Sequence, residues 1–208
     1  IIGKRSFWKS EFIINKNVLD PRPDSETLIE VALDLISKPS RILDLGTGSG
    51  CLACSLLQEF PRAKVVAIDK CPKALKIAKK NAENLKLRID FINSDWTNSI
   101  KGKFDLIVCN PPYISTGEYL SLANNILNYE PRSAFIPCNL KICNGYESYY
   151  CLAICLEEYL EKGGLALFEV GQNMASKVEN IFRKNNNFSV KSYKDINAID
   201  RVVSVVNM

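Results

Sequence analysis

The chain has 208 residues, of which 47% are hydrophobic and 24% are charged, a balance typical of a soluble globular domain with a sizeable core. Its formal net charge of +4 permits an acidic or RNA-rich partner without indicating one. The sequence contains no histidine, which excludes catalysis or metal binding by that residue. The sequence contains no run of about 18 apolar residues, so no transmembrane helix is indicated.

The spacing of apolar residues predicts a hairpin and a helix, followed by strands that alternate with amphipathic helices. The hairpin is predicted over residues 10–20 and the first helix over Asp24 to Ile36. The further predicted strands are 41–45, 64–68, 88–93, 104–109, 165–170, 188–194 and 201–206, and the further predicted helices are 50–60, 72–84, 146–161 and 173–185.

This alternation predicts an α/β fold, a Rossmann-like seven-stranded and mostly parallel sheet with helices on both faces. The last two strands are joined by the short link Asp195 to Asp200 without a helix, so the last strand is expected to be antiparallel. The 35 residues from Asn110 to Asn144 are too many for an ordinary connection, and we expect this stretch to be functional.

A glycine-rich segment, Asp44–Gly50, follows the first strand of the predicted sheet and opens a helix. Glycines let the backbone turn sharply and lie close to a ligand. Asp69 ends the next strand 23 residues after Gly46, where an acidic side chain can bind two ribose hydroxyls. The predicted cofactor-binding residues of this region are Gly46, Thr47, Gly48, Ser49, Gly50 and Asp69.

Two cofactors compete for this pattern, a nicotinamide dinucleotide and S-adenosylmethionine. Dinucleotide sites commonly have G-x-G-x-x-G, whereas this segment has G-x-G-x-G preceded by Asp44. An acidic residue there repels a pyrophosphate but suits cationic sulfonium and ammonium groups, which favours S-adenosylmethionine. Asp95 and Trp96 follow the third strand and are expected beside the adenine, although a lone Trp is more often part of a core.

The segment Asn110-Pro111-Pro112-Tyr113 follows the apolar strand 104–109. The prolines end the strand and hold Asn110 at its carboxyl end, where ligands bind in open α/β sheets. A carboxamide beside a rigid backbone carbonyl can accept both hydrogens of a planar NH2 group, and Tyr113 offers a ring to stack on it. We therefore predict Asn110, Pro111, Pro112 and Tyr113 as a catalytic site for an amide or amino nitrogen, with Asn110 also touching the cofactor.

Eight cysteines are present, and Cys51 and Cys54 form one isolated CxxC in an apolar segment. Because no second CxxC accompanies it, we predict no metal site. The cysteines are expected to be reduced, structural thiols of a cytosolic protein.

Together these segments resemble the class I S-adenosylmethionine-dependent methyltransferases over the whole chain. Within that class the chain resembles the HemK/PrmC family of protein-(glutamine-N5) methyltransferases. Ser25 stands where the family usually has Thr. The segments that carry the resemblance are Pro21–Glu26, Asp44–Gly50, Ser94–Trp96, Asn110–Tyr113, Glu130–Pro131, Glu169–Gln172 and Asp195–Arg201.

The resemblance implies methyl transfer from S-adenosylmethionine to the side-chain amide N5 of a glutamine, in the Gly-Gly-Gln motif of a peptide-chain release factor. Asn110 and the carbonyl of Pro111 would accept the two amide hydrogens, and Tyr113 and Phe12 would shape the slot. The release factor is the expected protein partner and the cytoplasm the expected location. No direct nucleic-acid or membrane binding is expected, and the oligomeric state stays open.

The sequence departs from the family in two places. The amino end is interpreted as an internal cut, with residues 1–37 as a hairpin and helix that remain from the link to a missing helical domain, and 38–208 as the methyltransferase domain. The glycine-rich stretch after the Glu-Pro pair is altered to Ile136–Leu140. Arg22 and Glu26 are expected either to serve the site or to pair with each other or cap the helix, and Glu130 either to serve the site or to order the long loop.

Other functions share parts of this pattern. An N6-adenine methyltransferase of DNA or RNA needs the same Asn-Pro-Pro-aromatic motif, because an exocyclic amino group is also a planar NH2 group. A DNA enzyme must flip its base and usually adds a basic recognition domain, and a net charge of +4 is small for binding phosphates. A ribosomal-protein glutamine methyltransferase has the same catalytic motif. The chain could also be a non-catalytic partner subunit, but such a subunit would have no reason to retain Asp44, Asp69 and Asn110. A nicotinamide reductase would need a proton donor near the hydride, and this sequence contains no Ser-Tyr-Lys constellation of the usual spacing.

Overall fold

The computed structural model describes residues 3–137 and 142–208, apart from the side chain of Asn125. The strands are β1 (Lys4–Phe7), β2 (Ser10–Ile13), β3 (Arg41–Leu45), β4 (Lys64–Asp69), β5 (Asp90–Asn93), β6 (Phe104–Cys109), β7 (Leu160–Glu169), β8 (Phe188–Lys194) and β9 (Asp200–Asn207). The helices are α1 (Glu26–Leu35), α2 (Cys51–Glu59), α3 (Pro72–Asn84), α4 (Thr116–Leu120), α5 (Asn124–Tyr129), α6 (Glu147–Tyr159) and α7 (Ala175–Phe182), with 3-10 turns at Pro23–Ser25 and Arg132–Ala134.

The main sheet has seven strands in the order β5-β4-β3-β6-β7-β9-β8, and β9 runs opposite to the other six. The predicted fold class is therefore confirmed, and most predicted strands and helices differ from the observed ones by a few residues at their ends. The strand order reverses between β3 and β6, which places a crevice at their carboxyl ends. Leu45 pairs with Cys109 at these ends, so Gly46 and Asn110 leave the sheet side by side.

Alternating residues of the central strands bury themselves in two cores, one on each face of the sheet. Ile42 of β3 packs into the core that holds α1, α2 and the hairpin. Leu43 and Leu45 pack into the opposite core with α6 and α7. Asp44 lies between them on the strand and is fully buried, which is unusual for a carboxyl group.

The amino-terminal hairpin lies over residues 4–13, not over 10–20 as predicted. β1 and β2 pair antiparallel around Trp8, which has a positive φ of 51°. The Trp8 backbone N–H donates to Glu26 Oε1 and its indole N–H donates to Glu59 Oε1, each at 2.7 Å. Long-range hydrogen bonds thus hold a turn that lacks the Asn-Gly type of local signal, which is why the spacing of apolar residues misplaced it.

The stretch between β6 and α6 is folded and is not a plain loop. It contains α4, α5 and a small core of its own, in which Phe135 and Ile136 pack against Leu19 and neighbouring apolar side chains. Ser115 begins α4 with a capping box, since its side chain accepts from the Glu118 N–H while Glu118 accepts from the Ser115 N–H. The altered stretch Ile136–Leu140 lies partly outside the described residues, which end at residue 137 and resume at 142.

Of the eight cysteines that were predicted to be reduced, six are free thiols, Cys143 contradicts the prediction, and Cys138 lies outside the described residues. Cys51, Cys54, Cys71, Cys109, Cys151 and Cys155 are free thiols, whereas Cys143 is disulfide-bonded. Across residues 3–137 and 142–208, no group of three or more His, Cys, Asp or Glu side chains is arranged to hold a metal ion. In the same part of the chain, none of the helices combines the length and the apolar character needed to cross a membrane.

Candidate active site

A cleft of about 740 Å³, including its open mouth, lies at the carboxyl ends of β3, β4 and β6. Eight of the predicted site residues line it: Gly46, Gly48, Asp69, Asp95, Trp96, Asn110, Pro111 and Pro112. The other four predicted residues, Thr47, Ser49, Gly50 and Tyr113, do not line it.

The glycine loop leaves room that a ligand can occupy. Gly46 has a φ of +73°, and a Cβ built there would meet no atom within 4 Å. The positive φ favours glycine, and the open space faces the cleft that Gly46 lines. Gly50 has a different role, because a Cβ there would approach the Cβ of Ala78 to 3.0 Å, so its glycine allows α2 to pack closely on α3.

Asp69 ends β4 at the edge of the cleft and orders the loops around it. Its Oδ2 accepts from the Gly48 N–H at 3.0 Å, and its Oδ1 accepts from the Cys71 N–H at 2.7 Å. Burial raises the pKa of Asp69, and these two hydrogen bonds oppose that rise. Each carboxylate oxygen retains a lone pair, so the side chain can still accept hydrogen bonds from two hydroxyls of a ligand.

Asp44 lies beneath the glycine loop with one carboxylate oxygen unpartnered. Its Oδ2 accepts from Thr47 Oγ1 at 2.6 Å, whereas Oδ1 has no hydrogen-bond partner among the described residues. Burial, with a smaller contribution from the charge of Asp69, raises the pKa of Asp44 to about 7. A buried carboxyl group with a free oxygen is suited to a cationic ligand, because a positive charge nearby favours its ionised form.

Asp95 and Trp96 form the part of the cleft that follows β5. The Trp96 ring is half-buried and packs against the core beside α6, and Trp96 also lines the cleft. Its backbone has a positive φ of 48°, and its carbonyl accepts from Ser94 Oγ at 2.8 Å. Trp96 therefore packs against the core and also lines the cleft, and its contact with an adenine stays a prediction.

Asn110 lines the cleft just after the end of β6. Its Nδ2 donates to the buried Ser25 Oγ at 3.0 Å. Among the described residues, neither Asn110 Oδ1 nor the Pro111 carbonyl accepts a hydrogen bond. The carboxamide oxygen of Asn110 and the carbonyl oxygen of Pro111 can therefore each accept a hydrogen bond from a ligand.

Tyr113 lies behind this pair of acceptors in a buried polar network. Its hydroxyl donates to Glu169 Oε1 at 3.1 Å, and burial raises the pKa of Tyr113 well above its usual range. Tyr149 donates to the Glu169 carbonyl at 2.7 Å. A Cβ at Gly171 would approach the Tyr113 ring to 3.1 Å, so the absence of a side chain at Gly171 leaves room for this ring.

Arg22, Glu26 and Phe12 have structural partners. Arg22 Nη2 pairs with Glu130 Oε1 at 2.6 Å, and Asp20 N–H donates to Glu130 Oε2 at 3.0 Å. Glu130 thus holds the insert between β6 and α6 to the segment before α1, as the loop-ordering hypothesis predicted. Arg22 and Glu26 do not pair with each other. Phe12 is fully buried and stacks edge-on against Phe7, so the prediction that it shapes the slot is wrong.

The cleft also includes residues that the sequence analysis missed. Asn17, Val18 and Leu19 form one wall, and Ser133 and Ala134 of the insert contribute to another. These residues come from irregular segments without a recognisable motif. The neighbouring Glu130-Pro131 pair was the one signal that could have led to the insert wall.

Comparison with known proteins places this chain in a family. A model of the family described as "Methyltransferase small domain" matches residues 16–133, more than half of the chain. A release factor glutamine methyltransferase of Koribacter versatilis is 39% identical over 207 residues, which cover 98% of this chain and 72% of that protein. The chain belongs to the release factor glutamine methyltransferase family.

Two further proteins are similar to this chain over different shares of their own length. A bifunctional methyltransferase of Rickettsia prowazekii is 37% identical over 99% of the chain, but the chain spans only 43% of that protein's length. A solved structure, the release factor-specific protein-(glutamine-N5) methyltransferase of Alicyclobacillus acidocaldarius, is 29% identical with a TM-score of 0.54 and covers 89% of this chain and 92% of that one. The family resemblance seen in the motifs is therefore confirmed.

Proposed function

We propose that the cleft binds S-adenosylmethionine. Family membership supports a methyl donor, and the residues present fit this one. Asp69 would accept from the ribose hydroxyls, Trp96 and Asp95 would lie beside the adenine, and the free oxygen of Asp44 would face the cationic end of the ligand. The open space over Gly46 would allow the ligand to approach the backbone of the glycine loop closely.

We further propose that the protein methylates the side-chain amide nitrogen of a glutamine in the Gly-Gly-Gln motif of a peptide-chain release factor. The observation that carries this proposal is the pair of unused acceptors, Asn110 Oδ1 and the Pro111 carbonyl, next to the glycine loop. A planar NH2 group can donate one hydrogen to each of them. Such a pair holds the nitrogen in one plane and in one position.

The chemistry needs orientation more than a base. An amide nitrogen is a weak nucleophile because its lone pair is delocalised, and bound S-adenosylmethionine supplies an electrophilic methyl group. Asn110 and Pro111 fix the nitrogen, and their oxygen dipoles favour the positive charge that develops on it. The surplus proton on nitrogen leaves to water after transfer, so the absence of histidine from the chain is no obstacle.

The release factor is the protein partner in this proposal, and the cytoplasm, where translation occurs, is the setting. Direct binding of nucleic acid is not part of it. The division into an amino-terminal remnant, residues 1–37, and a methyltransferase domain, residues 38–208, is likewise a proposal. In the structure Phe7 and Phe12 of the first part share one core with the sheet of the second.

A labelled-methyl assay tests the substrate. Radiolabelled S-adenosylmethionine would be supplied with a release factor, with its variant in which Gly-Gly-Gln becomes Gly-Gly-Ala, with ribosomal proteins, and with adenine-containing DNA and RNA. We expect label on the release factor and none on its variant. Label on nucleic acid alone would establish the adenine alternative instead, and label on a ribosomal protein alone would establish the other glutamine substrate.

A further inference from the structure

We propose that the exposed side of α3, together with the residues that flank this helix, binds the phosphodiester backbone of a nucleic acid. This goes beyond the proposed function and does not depend on it, because α3 contains none of the residues assigned to the cofactor or to methyl transfer. We call this surface the basic face, and its exposed residues are Lys70, Lys73, Lys76, Lys79, Lys80, Lys86 and Arg88.

The positive charge of the chain is concentrated in this one segment. Residues 70–88 contain seven Lys or Arg and a single acidic residue, Glu83, which gives a net charge of +6. Because the whole chain has a net charge of +4, the rest of the chain has a net charge of −2. The expectation of no direct nucleic-acid binding rested on the total charge, which does not show this division.

Helical geometry places four of these lysines on one side of α3. At 3.6 residues per turn, the four lysines of the helix fall within about 120° of one another around its axis, and all four are exposed. The row from Lys73 to Lys80 is about 10 Å long at 1.5 Å per residue, enough to contact about three phosphates of one strand. The opposite, buried side of the helix consists of Ala74, Leu75, Ala78, Asn81 and Ala82.

The basic face has almost no counter-charge within the protein. Lys80 pairs with Glu83 at 3.9 Å, but both side chains are exposed, so this pair contributes little. Among the described residues, no other side chain of the basic face takes part in an ion pair or a hydrogen bond. Asp69 and Asp90 flank the segment at its two ends and form no ion pair with it. The positive charge is therefore left for a partner to neutralise.

The fold places these like charges where they repel one another. Lys76 lies three residues from Lys73 and from Lys79, and helix neighbours of like charge at this spacing are destabilising. The first turn of α3 contains Lys73 but no acidic residue, although the positive end of the helix dipole favours anions there. Such a conflict between local electrostatics and the fold is expected at a surface that binds a partner, and a polyanion is the partner that relieves it.

The composition of the basic face favours a nucleic acid over an acidic protein. Protein interfaces are depleted of lysine and enriched in aromatic residues, whereas interfaces with nucleic acid are more polar and much more positively charged. Residues 70–88 include no aromatic residue and no exposed large hydrophobic side chain. Without an aromatic ring on which bases can stack, the contact is with the backbone and is independent of the base sequence.

Fluorescence anisotropy with labelled polyanions tests the proposal. The probes are an RNA duplex of about 16 base pairs, a DNA duplex of the same sequence, and polyglutamate as the acidic-protein alternative. We expect the wild-type protein to bind the duplexes with a Kd of about 1 to 100 μM near physiological salt. If about four phosphates are neutralised, the affinity should fall about 100-fold between about 50 and 200 mM salt. The ratio of the two duplex affinities identifies RNA or DNA as the source of the backbone.

Two triple variants assign the binding to the basic face. The first replaces three lysines of α3 by glutamine, which has a similar helix propensity: Lys73→Gln, Lys76→Gln and Lys79→Gln. The control removes the same charge from three exposed lysines outside the basic face: Lys38→Gln, Lys101→Gln and Lys162→Gln. We expect the first variant to lose at least about tenfold in duplex affinity at low salt, and its slope of log K against log salt to fall by about 2 to 3. The control should stay within about threefold of the wild type.

The same variants separate this surface from the proposed function. The α3 variant should melt at least as high as the wild type at about 50 mM salt, since it removes lysines that repel one another. It should also retain its Kd for S-adenosylmethionine and its methyl transfer to an isolated protein substrate. A chain that binds the duplexes but methylates no release factor would overturn the proposed function alone. No duplex binding by the wild type at low salt, an equal loss in the control variant, or tighter binding of polyglutamate would overturn the role of the basic face.

Discussion

Arg22 and Glu130 form an ion pair of 2.6 Å that joins two segments bordering the cleft. The Glu130 side chain is only 11% exposed, and its second oxygen accepts from the Asp20 N–H. Residues 17–19 on one side, and Pro131, Ser133 and Ala134 on the other, contribute to the cleft lining. The shape of the cleft therefore depends on a contact between side chains that do not line it.

Removing this contact is expected to weaken the cofactor site. Glu130→Ala deletes a charge-assisted pair and leaves the Asp20 N–H without its acceptor, so the two walls gain freedom that binding must remove. We expect the Kd for S-adenosylmethionine to rise about 3- to 10-fold. Calorimetry on Glu130→Ala and on Glu83→Ala, which removes an exposed 3.9 Å pair with Lys80, checks this. Equal affinities in the two variants would contradict it.

Gly46→Ala is expected to block the cleft more than it destabilises the fold. The new methyl group would project into space that the ligand is proposed to use, at a φ of +73°. Gly163→Ala is a matched control, since Gly163 has a φ of +76° and also has nothing within 4 Å of a built Cβ. Both variants should lose about 1 kcal/mol of stability, but only Gly46→Ala should lose at least about tenfold in cofactor affinity. Thermal melts and calorimetry together measure the two effects.

Asn110→Ala should separate binding from transfer. The side chain supplies one of the two proposed acceptors, so its loss removes orientation of the substrate nitrogen and lowers kcat by about 100-fold or more. Binding of S-adenosylmethionine should persist, because the glycine loop and Asp69 are unaltered. Single-turnover methyl transfer and cofactor calorimetry on the same preparation test this, with the exposed Asn186→Ala as a control. Loss of both properties together would place Asn110 in the cofactor site alone.

The stability of the ligand-free protein should fall as pH rises from about 4 to 7. Asp44 has its pKa raised from 3.8 to about 7 by burial. Over that window the folded state keeps a proton that the unfolded state has lost, so the free energy of unfolding decreases with pH. Each such group contributes a slope of up to about 1.4 kcal/mol per pH unit.

Glu169 has the same sign, with its pKa raised from 4.5 to about 7. Asp44→Asn should therefore reduce the slope without abolishing it. Denaturant titrations at several pH values measure it, with the exposed Asp90→Asn as the control. A slope in Asp44→Asn equal to that of the wild type would show that Asp44 is not protonated in the folded protein.

Local signals were enough to predict the sheet and the centre of the site. Apolar runs of five or six residues, the Gly46 loop and the two prolines after Asn110 act through backbone geometry within a few residues. Because consecutive parallel strands present their carboxyl ends at one edge, these local signals also predicted that Gly46, Asp69 and Asn110 meet. The structure bears out that meeting, although the roles of the residues remain proposals.

Contacts between residues that are far apart in the sequence were decided by the tertiary structure alone. Ser25 meets Asn110 across 85 residues, and Arg22 meets Glu130 across 108. The turn at Trp8 and the burial of Phe12 likewise depend on packing against α1 and α2. No local pattern encodes such pairings, because they arise only when the whole chain has closed around its two cores. The sequence by itself determined which groups stand at the edge of the sheet, and the fold determined which way they face.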